Sequence, residues 1–143
     1  MEQAPLFIDK VSFTVYGIPQ PQGSMRAFIP KGWKRPVITA VSGKTKPWRQ
    51  EVAGTALVAR GSRNLWEEEA VVIHAHFYFD KPKSSRKKTQ KTTKPDIDKL
   101  LRATLDALTG VLFRDDSQVV KCVVTKRFGS PARVEITIGA AMG

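Results

Sequence analysis

Residues 94–120 read KPDIDKLLRATLDALTGVLFRDDSQVV, and this stretch decides how the chain is organised. Ile97, Leu100, Leu101, Thr104, Leu105 and Leu108 recur at helical spacing, which predicts an amphipathic helix with one apolar stripe. Pro95 and Asp96 suit its start and Gly110 its end. Two acids, Asp96 and Asp98, open the helix, and two more, Asp115 and Asp116, follow it. The turn beyond Gly110 is expected to carry acids from both ends of the helix towards a shared point.

The flanking sequence has the period of strands. Val11, Phe13 and Val15 alternate with Ser12, Thr14 and Tyr16, and Gly17 ends that run. In 70–79, AVVIHAHFYF, Val71, Ile73, Ala75, Phe77 and Phe79 form one face against Val72, His74, His76 and Tyr78. After Asp115-Asp116-Ser117, the runs QVVKCVVTKR and RVEITIG are separated by Gly-Ser-Pro at 129–131, which predicts an antiparallel hairpin. A further helix is expected from near Pro47, with Trp48, Val52, Ala56 and Ala59 on one face and Gly61 closing it. Between Gly17 and that helix lies IPQPQGSMRAFIPKGWKRP, so rich in proline, glycine and bases that it reads as a long exposed loop. No internal repeat is evident. The fold class expected is α+β, a mixed or antiparallel sheet of about four strands with two principal helices, in a single domain spanning 1–143.

At 143 residues such a domain buries about two-thirds of its unfolded surface. No apolar run approaches the roughly 20 residues of a membrane span. The opening MEQAPLFIDK lacks the basic start and apolar stretch of a signal peptide. Cys122 is the only cysteine, which excludes an internal disulfide and a cysteine-rich zinc site. A soluble protein of the reducing cytoplasm, with no membrane partner, is expected.

Lysine and arginine number 24 against 13 acids, a formal charge of +11 that favours a polyanionic partner. The distribution is sharper than the total. From Lys10 to Gln50 there is no acid, while Arg26, Lys31, Lys34 and Arg35 fall in the exposed loop. A second basic run, Lys81, Lys83, Arg86, Lys87, Lys88, Lys91 and Lys94, ends beside Asp96. Both predict phosphate-contacting loops, because basic side chains that displace counterions supply most sequence-independent affinity for nucleic acid.

Acids clustered in so basic a chain suggest a divalent-metal site. Hydrolysis of a phosphodiester needs a nucleophilic water and relief of phosphate charge, and carboxylate-held Mg²⁺ provides both. Well inside a helix Asp96 and Asp98 would lie about 200° apart, but with Asp96 at the N-cap the two side chains converge. Simpler roles compete: Asp96 as a cap, Asp98 as a partner of the helix dipole, and Asp115-Asp116 as an ordinary turn. Among other candidates, a polar sheet face accounts for His74 and His76 better than metal ligation does. Asp106 is expected to bridge to Arg102 at i,i+4. Trp33 suits stacking on an unpaired base, Trp48 and Trp66 suit core or dimer contacts, and Cys122 is expected to be buried in a strand.

These residues resemble the RusA-type Holliday-junction resolvases, whose pattern is Asp-x-Asp-Asn, a basic residue four positions after the second Asp, Asp-Ala-Leu, then Asp-Asp-x-Gln-Val. The matching residues here are Asp96, Asp98, Arg102, Asp106-Ala107-Leu108, Asp115, Asp116, Gln118 and Val119. The resemblance is strong over 94–120 and extends more weakly to Gly17, Pro19, Pro21, Arg26 and Trp48. It implies a Mg²⁺-dependent homodimer, with Mn²⁺ as a substitute ion, that makes paired cuts in four-way DNA junctions. Asp96, Asp98 and Asp116 then fall on the metal-binding acids, and Asp115 on a supporting acid. Lys99 stands where the family usually has Asn, and Arg102 where it usually has Lys. Arg102 keeps the charge but cannot donate a proton readily. Lys99 lies one turn before it and joins Arg26, Lys31, Lys34, Arg35, Lys87, Lys88, Lys91 and Lys94 as an expected DNA contact. The alternative is a non-catalytic DNA- or RNA-binding module, such as a degenerate resolvase whose acids only balance charge. A basic structural protein, such as a ribosome component, is a third reading.

Overall fold

The computed structural model describes residues 7–23, 25–29, 31–40, 43–85 and 87–141, with backbone alone at 25–28, 37–40 and 85. The opening residues 1–6 and Arg86 of the second basic run lie outside the described residues. In chain order the main elements are β1 (Phe7–Tyr16), β2 (Met25–Phe28), β3 (Val37–Ala40), α1 (Thr45–Arg60), β4 (Val71–Phe79), α2 (Ile97–Leu108), β5 (Val119–Phe128) and β6 (Arg133–Ala141).

Four strands form one mixed sheet in the order β1-β6-β4-β5. β6 runs antiparallel to both β1 and β4, while β4 and β5 are parallel. The register aligns Val11, Phe13 and Val15 with Ile138, Ile136 and Val134, and these with Ile73, Ala75 and Phe77. Strand alternation therefore gives the sheet one apolar face, on which Val52 of α1 and Leu100 and Leu108 of α2 are fully buried. The opposite face carries Ser12, Thr14, His74, His76, Glu135 and Thr137 around a shallow cavity. There Ser12 and Thr137 are joined at 3.1 Å, and His76 Nδ1 meets Thr125 Oγ1 at 2.6 Å. This is the polar face expected of the two histidines. Burial, then the neighbouring charges of His76 and Lys121, push the His74 imidazole below its usual range.

The expected β5–β6 hairpin does not form. β4 is buried along its whole apolar face, half-buried along most of the other, and lies between them, parallel to one and antiparallel to the other. The Gly-Ser-Pro segment is a crossover over the end of β4, tied by Gly129 N–H donating to Phe79 O at 2.9 Å. A Cβ at Gly129 would lie 2.6 Å from Tyr78 Cδ1, so only glycine lets the chain pass this closely.

Three further expectations are corrected. The proline-rich segment is not loop throughout, since β2 and β3 pair antiparallel from Met25↔Ala40 to Phe28↔Val37. Helix α1 begins at Thr45, with Pro47 third in the helix; the first-turn N–H groups have no intrahelical acceptor, so proline costs nothing there. The Thr45 hydroxyl donates to Pro21 O at 2.7 Å and pins that start to the chain after β1. Trp48 and Trp66 are both in the core. Cys122, by contrast, is exposed, because β5 is an edge strand.

Candidate active site

Helix α2 begins as the sequence predicts. Asp96 is the N-cap with extended backbone (φ −71°, ψ 142°), and its carbonyl accepts from Leu100 N–H at 3.1 Å. Its carboxylate, however, makes no capping hydrogen bond, so that side chain is not consumed by closing the helix. Asp98 lies in the first turn, and both acids are exposed. Arg102 follows Asp98 by four residues and is also exposed, so the two share one flank of the helix.

The framework at this end comes from distant parts of the chain. Lys126 of β5 donates to Thr93 O at 2.7 Å and to Pro95 O at 2.9 Å, holding the residues just before Asp96 against the end of the sheet. Gln22 N–H donates to Lys99 O at 2.9 Å, docking the segment that leads into β2 on the first turn of α2. A cleft of about 640 Å³ beside the helix start is lined by Gln90, Ile97, Lys126 and Arg127 among others. Neither Lys126 nor Gln22 is legible locally as a site residue, since each acts on a carbonyl far away in sequence.

The other acid pair has different surroundings. Asp115 caps a 3₁₀ turn at Asp116–Gln118: its Oδ1 accepts from Ser117 N–H at 2.9 Å, and Gln118 Oε1 accepts from Asp115 N–H at 2.8 Å. The Ser117 hydrogen bonds, more than the charge of Arg114, hold the Asp115 carboxyl below the ordinary carboxylate value. Gln118 also donates through Nε2 to Trp66 O and Glu69 O, each at 3.0 Å, tying the turn to the entrance of β4. Asp116 is exposed beside this anchored turn.

The two pairs do not converge within one chain. From Asp98 to the end of α2 at Leu108 is ten residues, a rise of about 15 Å. After the helix the chain turns at once, with Gly110 N–H donating to Phe113 O at 2.7 Å, and stays at that end. Along β5 the separation is similar: from Val119, next to Asp116, to Lys126, next to Pro95, is about 23 Å of strand. Among the described residues no group of three or more His, Cys, Asp or Glu is placed to hold a metal ion.

The second basic run leads directly into the start of α2, and the first lies on a separate connection. Lys31, Lys34 and Arg35 are exposed on the connection from β2 to β3, together with Trp33 at 62% exposure, while the side chain of Arg26 lies outside what is described. Lys87, Lys88 and Lys94 are exposed, and Lys99 is half-buried. Lys91 is part of the fold: its Nζ lies 4.7 Å from the Phe79 ring centroid and donates to Thr93 Oγ1 at 3.1 Å. Burial, then the charge of Lys126, lowers its affinity for a proton. Asp106 does not bridge to Arg102. It faces α1 instead, with Arg49 Nη1 at 3.7 Å, a half-exposed contact worth less than about 1 kcal/mol.

A family model described as endodeoxyribonuclease RusA matches residues 19–139. The chain is also 35% identical over 142 residues to the uncharacterized protein YqaN of Bacillus subtilis (strain 168), covering 92% of this chain and 96% of that protein.

Proposed function

Because this chain belongs to the RusA endodeoxyribonuclease family, we propose that it is a Mg²⁺-dependent resolvase that makes paired cuts in four-way DNA junctions as a cytoplasmic homodimer. The observation that carries this reading is the state of Asp96 and Asp98: two exposed carboxylates at a helix start, neither spent on capping, in a protein of charge +11. Mg²⁺ binds through one or two carboxylates together with water and phosphate oxygens, and Asp96 and Asp98 fit that requirement. Asp116 is the third acid, and within one chain it does not join them.

When bound, Mg²⁺ supplies a nucleophilic water and draws charge from the phosphate; Mn²⁺, with similar oxygen chemistry, substitutes for it. The residues of the chain do the rest. Arg102, one turn beyond Asp98, offers fixed positive charge to the phosphate. Lys31, Lys34 and Arg35 from one loop, with Arg26 beside them, and Lys87, Lys88 and Lys94 from the other hold the arms through phosphate contacts that carry no sequence information; Lys99 adds charge beside Asp98 and Lys91 braces its loop. A C₂ dimer suits a substrate cut at two symmetry-related points.

The test is cleavage of a synthetic four-way junction, the matching duplex and a single strand, with Mg²⁺ and with a chelator. Paired, metal-dependent cuts confined to the junction are expected. Tight junction binding without cleavage would replace this reading by that of a degenerate, non-catalytic binder.

A further inference from the structure

We propose that the polar face of the sheet is a platform for unpaired DNA, on which a single strand lies across β1, β6, β4 and β5 with its bases stacked on Tyr16 and on the Arg133–Tyr78 pair. This adds a second site to the endonuclease reading above and rests on it for the origin of the strand, the branch point of the junction.

The register builds the platform. Tyr16 pairs with Arg133, Arg133 with Tyr78 and Tyr78 with Arg127, so the four side chains form one row on one face. At about 4.8 Å between strands the row is about 14 Å long. No spacing along the chain reveals it, because each of the four residues belongs to a different strand. Tyr16 is 67% exposed, and Gly17 N–H donates to Ala132 O at 3.0 Å, which fixes the end of β1 beside Arg133. The Arg133 guanidinium sits over the Tyr78 ring, with Cζ 4.0 Å from its centroid. It is held there by Nε donating to Glu135 Oε2 and Nη1 donating to Pro131 O, each at 2.8 Å. A guanidinium plane fixed in this way offers a base the same stacking surface as a ring, and its fixation lowers the entropy lost on binding. Arg127 is exposed at the open edge of the sheet.

Charge and position select the occupant. On this face Lys121, Arg127 and Arg133 are basic, and Glu135, bridged to Arg133, is the one acid among the described residues. Rings alternating with cations suit a single strand of any sequence, the rings taking bases and the cations phosphates. A duplex suits the row less, since its bases are already stacked on one another. The row is also continuous with the acid site. The cleft beside the start of α2 is lined by Thr125 and Arg127 of this face and by Ile97, Lys126 and Phe128 of the other. Ile97 follows Asp96, so a strand whose phosphate is held at Asp96 and Asp98 meets Arg127 on passing round the edge of β5. Four-stranded sheets that present aromatic side chains seat two or three bases, which a row of this length accommodates.

The test uses the full chain with a chelator present, so that binding is read without cleavage. The probe is a short fluorescent oligodeoxythymidylate, followed by anisotropy. Tyr16→Ala is expected to weaken its binding by about tenfold, and Tyr16→Phe to keep it within about twofold. Arg127→Ala is expected to weaken it too and to reduce the slope of log affinity against log salt by about 0.7. Affinity of Tyr16→Ala for a blunt duplex should match the wild type. Both positions are exposed, and unchanged circular dichroism verifies the fold. Equal oligonucleotide affinity for wild type and Tyr16→Ala, or equal losses on oligonucleotide and duplex, overturns the platform. If self-association in sedimentation equilibrium falls in Tyr16→Ala while oligonucleotide affinity does not, the face is a contact between copies of the chain and the platform is again overturned.

These outcomes separate the platform from the cleavage. A wild type that binds the oligonucleotide through Tyr16 yet cuts no junction refutes the endonuclease reading and leaves the platform standing. One that cuts junctions while Tyr16 has no part in strand binding does the reverse.

Discussion

The two ends of α2 are built in opposite ways. At the start, Asp96 and Asp98 are left without structural duties, and the backbone beneath them is held by Lys126 and Gln22. At the far end Asp115 is itself the structural element, closing a turn with Ser117 and Gln118, and Asp116 is carried on that turn. Acids that look equivalent in sequence therefore divide into two free carboxylates on a prepared support and a far pair in which Asp115 makes the support and Asp116 is coupled to it by a side-chain hydrogen bond. A carboxylate that accepts local hydrogen bonds rigidifies its own turn, but it has fewer lone pairs to offer a cation.

The largest effect that would sharpen this contrast is in catalysis. Asp96→Asn and Asp98→Asn should each lower single-turnover junction cleavage by about a thousandfold or more, some 4 kcal/mol of barrier, while gel-shift affinity for the junction is kept or improved. Loss of binding together with cleavage would make the pair structural and erase the distinction between the two ends. Next in size is the support at the first end. Lys126→Met strands two carbonyls that accept its ammonium, which should cost about 2 kcal/mol of stability, a fall in Tm of about 6 °C by calorimetry. Cleavage should drop as well, since Asp96 follows directly on Pro95. A variant with unchanged melting and unchanged rate would show that Lys126 does not hold the site.

Smaller again is the contribution of the exposed basic run. Lys87→Ala/Lys88→Ala should leave the melting temperature alone and reduce the slope of log affinity against log salt by about 0.9 for each phosphate left without its lysine. An unaltered slope would make this loop a solvated spacer. The smallest change is expected at Asp115. Its carboxyl is held below the ordinary 3.8, so its contribution to stability is present above that pH and is lost as pH falls through the lower folded-state value. Asp115→Asn should therefore remove part of the acid-side loss of stability seen in melts between about pH 2 and 5, and slow cleavage by less than about tenfold. A thousandfold loss of rate would move Asp115 into the group of free carboxylates.

Much of the fold is legible in the sequence because it depends on local periodicity. The apolar stripe of α2, the N-cap at Asp96 and the alternation of Val71 to Phe79 each follow from spacings of two to four residues, and the fold class follows from their order. The failures at the sheet and at Asp106 are matters of long-range pairing. QVVKCVVTKR and RVEITIG read as a hairpin because they are adjacent in the chain, yet β4, far earlier in sequence, has the more continuous apolar run and takes the place between them. The expectation of a buried Cys122 fails for the same reason: its residue type suits an interior strand, and only the strand order puts β5 at an edge. Asp106 has Arg102 one turn away, but the packing of α1 on α2 gives it Arg49. The acids themselves are visible as two pairs. What their spacing cannot reveal is that the intervening helix holds them apart.

The most direct test of the site is to locate the metal on the chain. With Fe²⁺ in place of Mg²⁺, ascorbate and peroxide generate hydroxyl radicals that cut the backbone close to the bound ion. Cuts at 96–98, abolished by Asp96→Asn/Asp98→Asn, are expected. Cuts placed only elsewhere, or unchanged by that double substitution, would contradict the assignment of Asp96 and Asp98 as metal-holding acids.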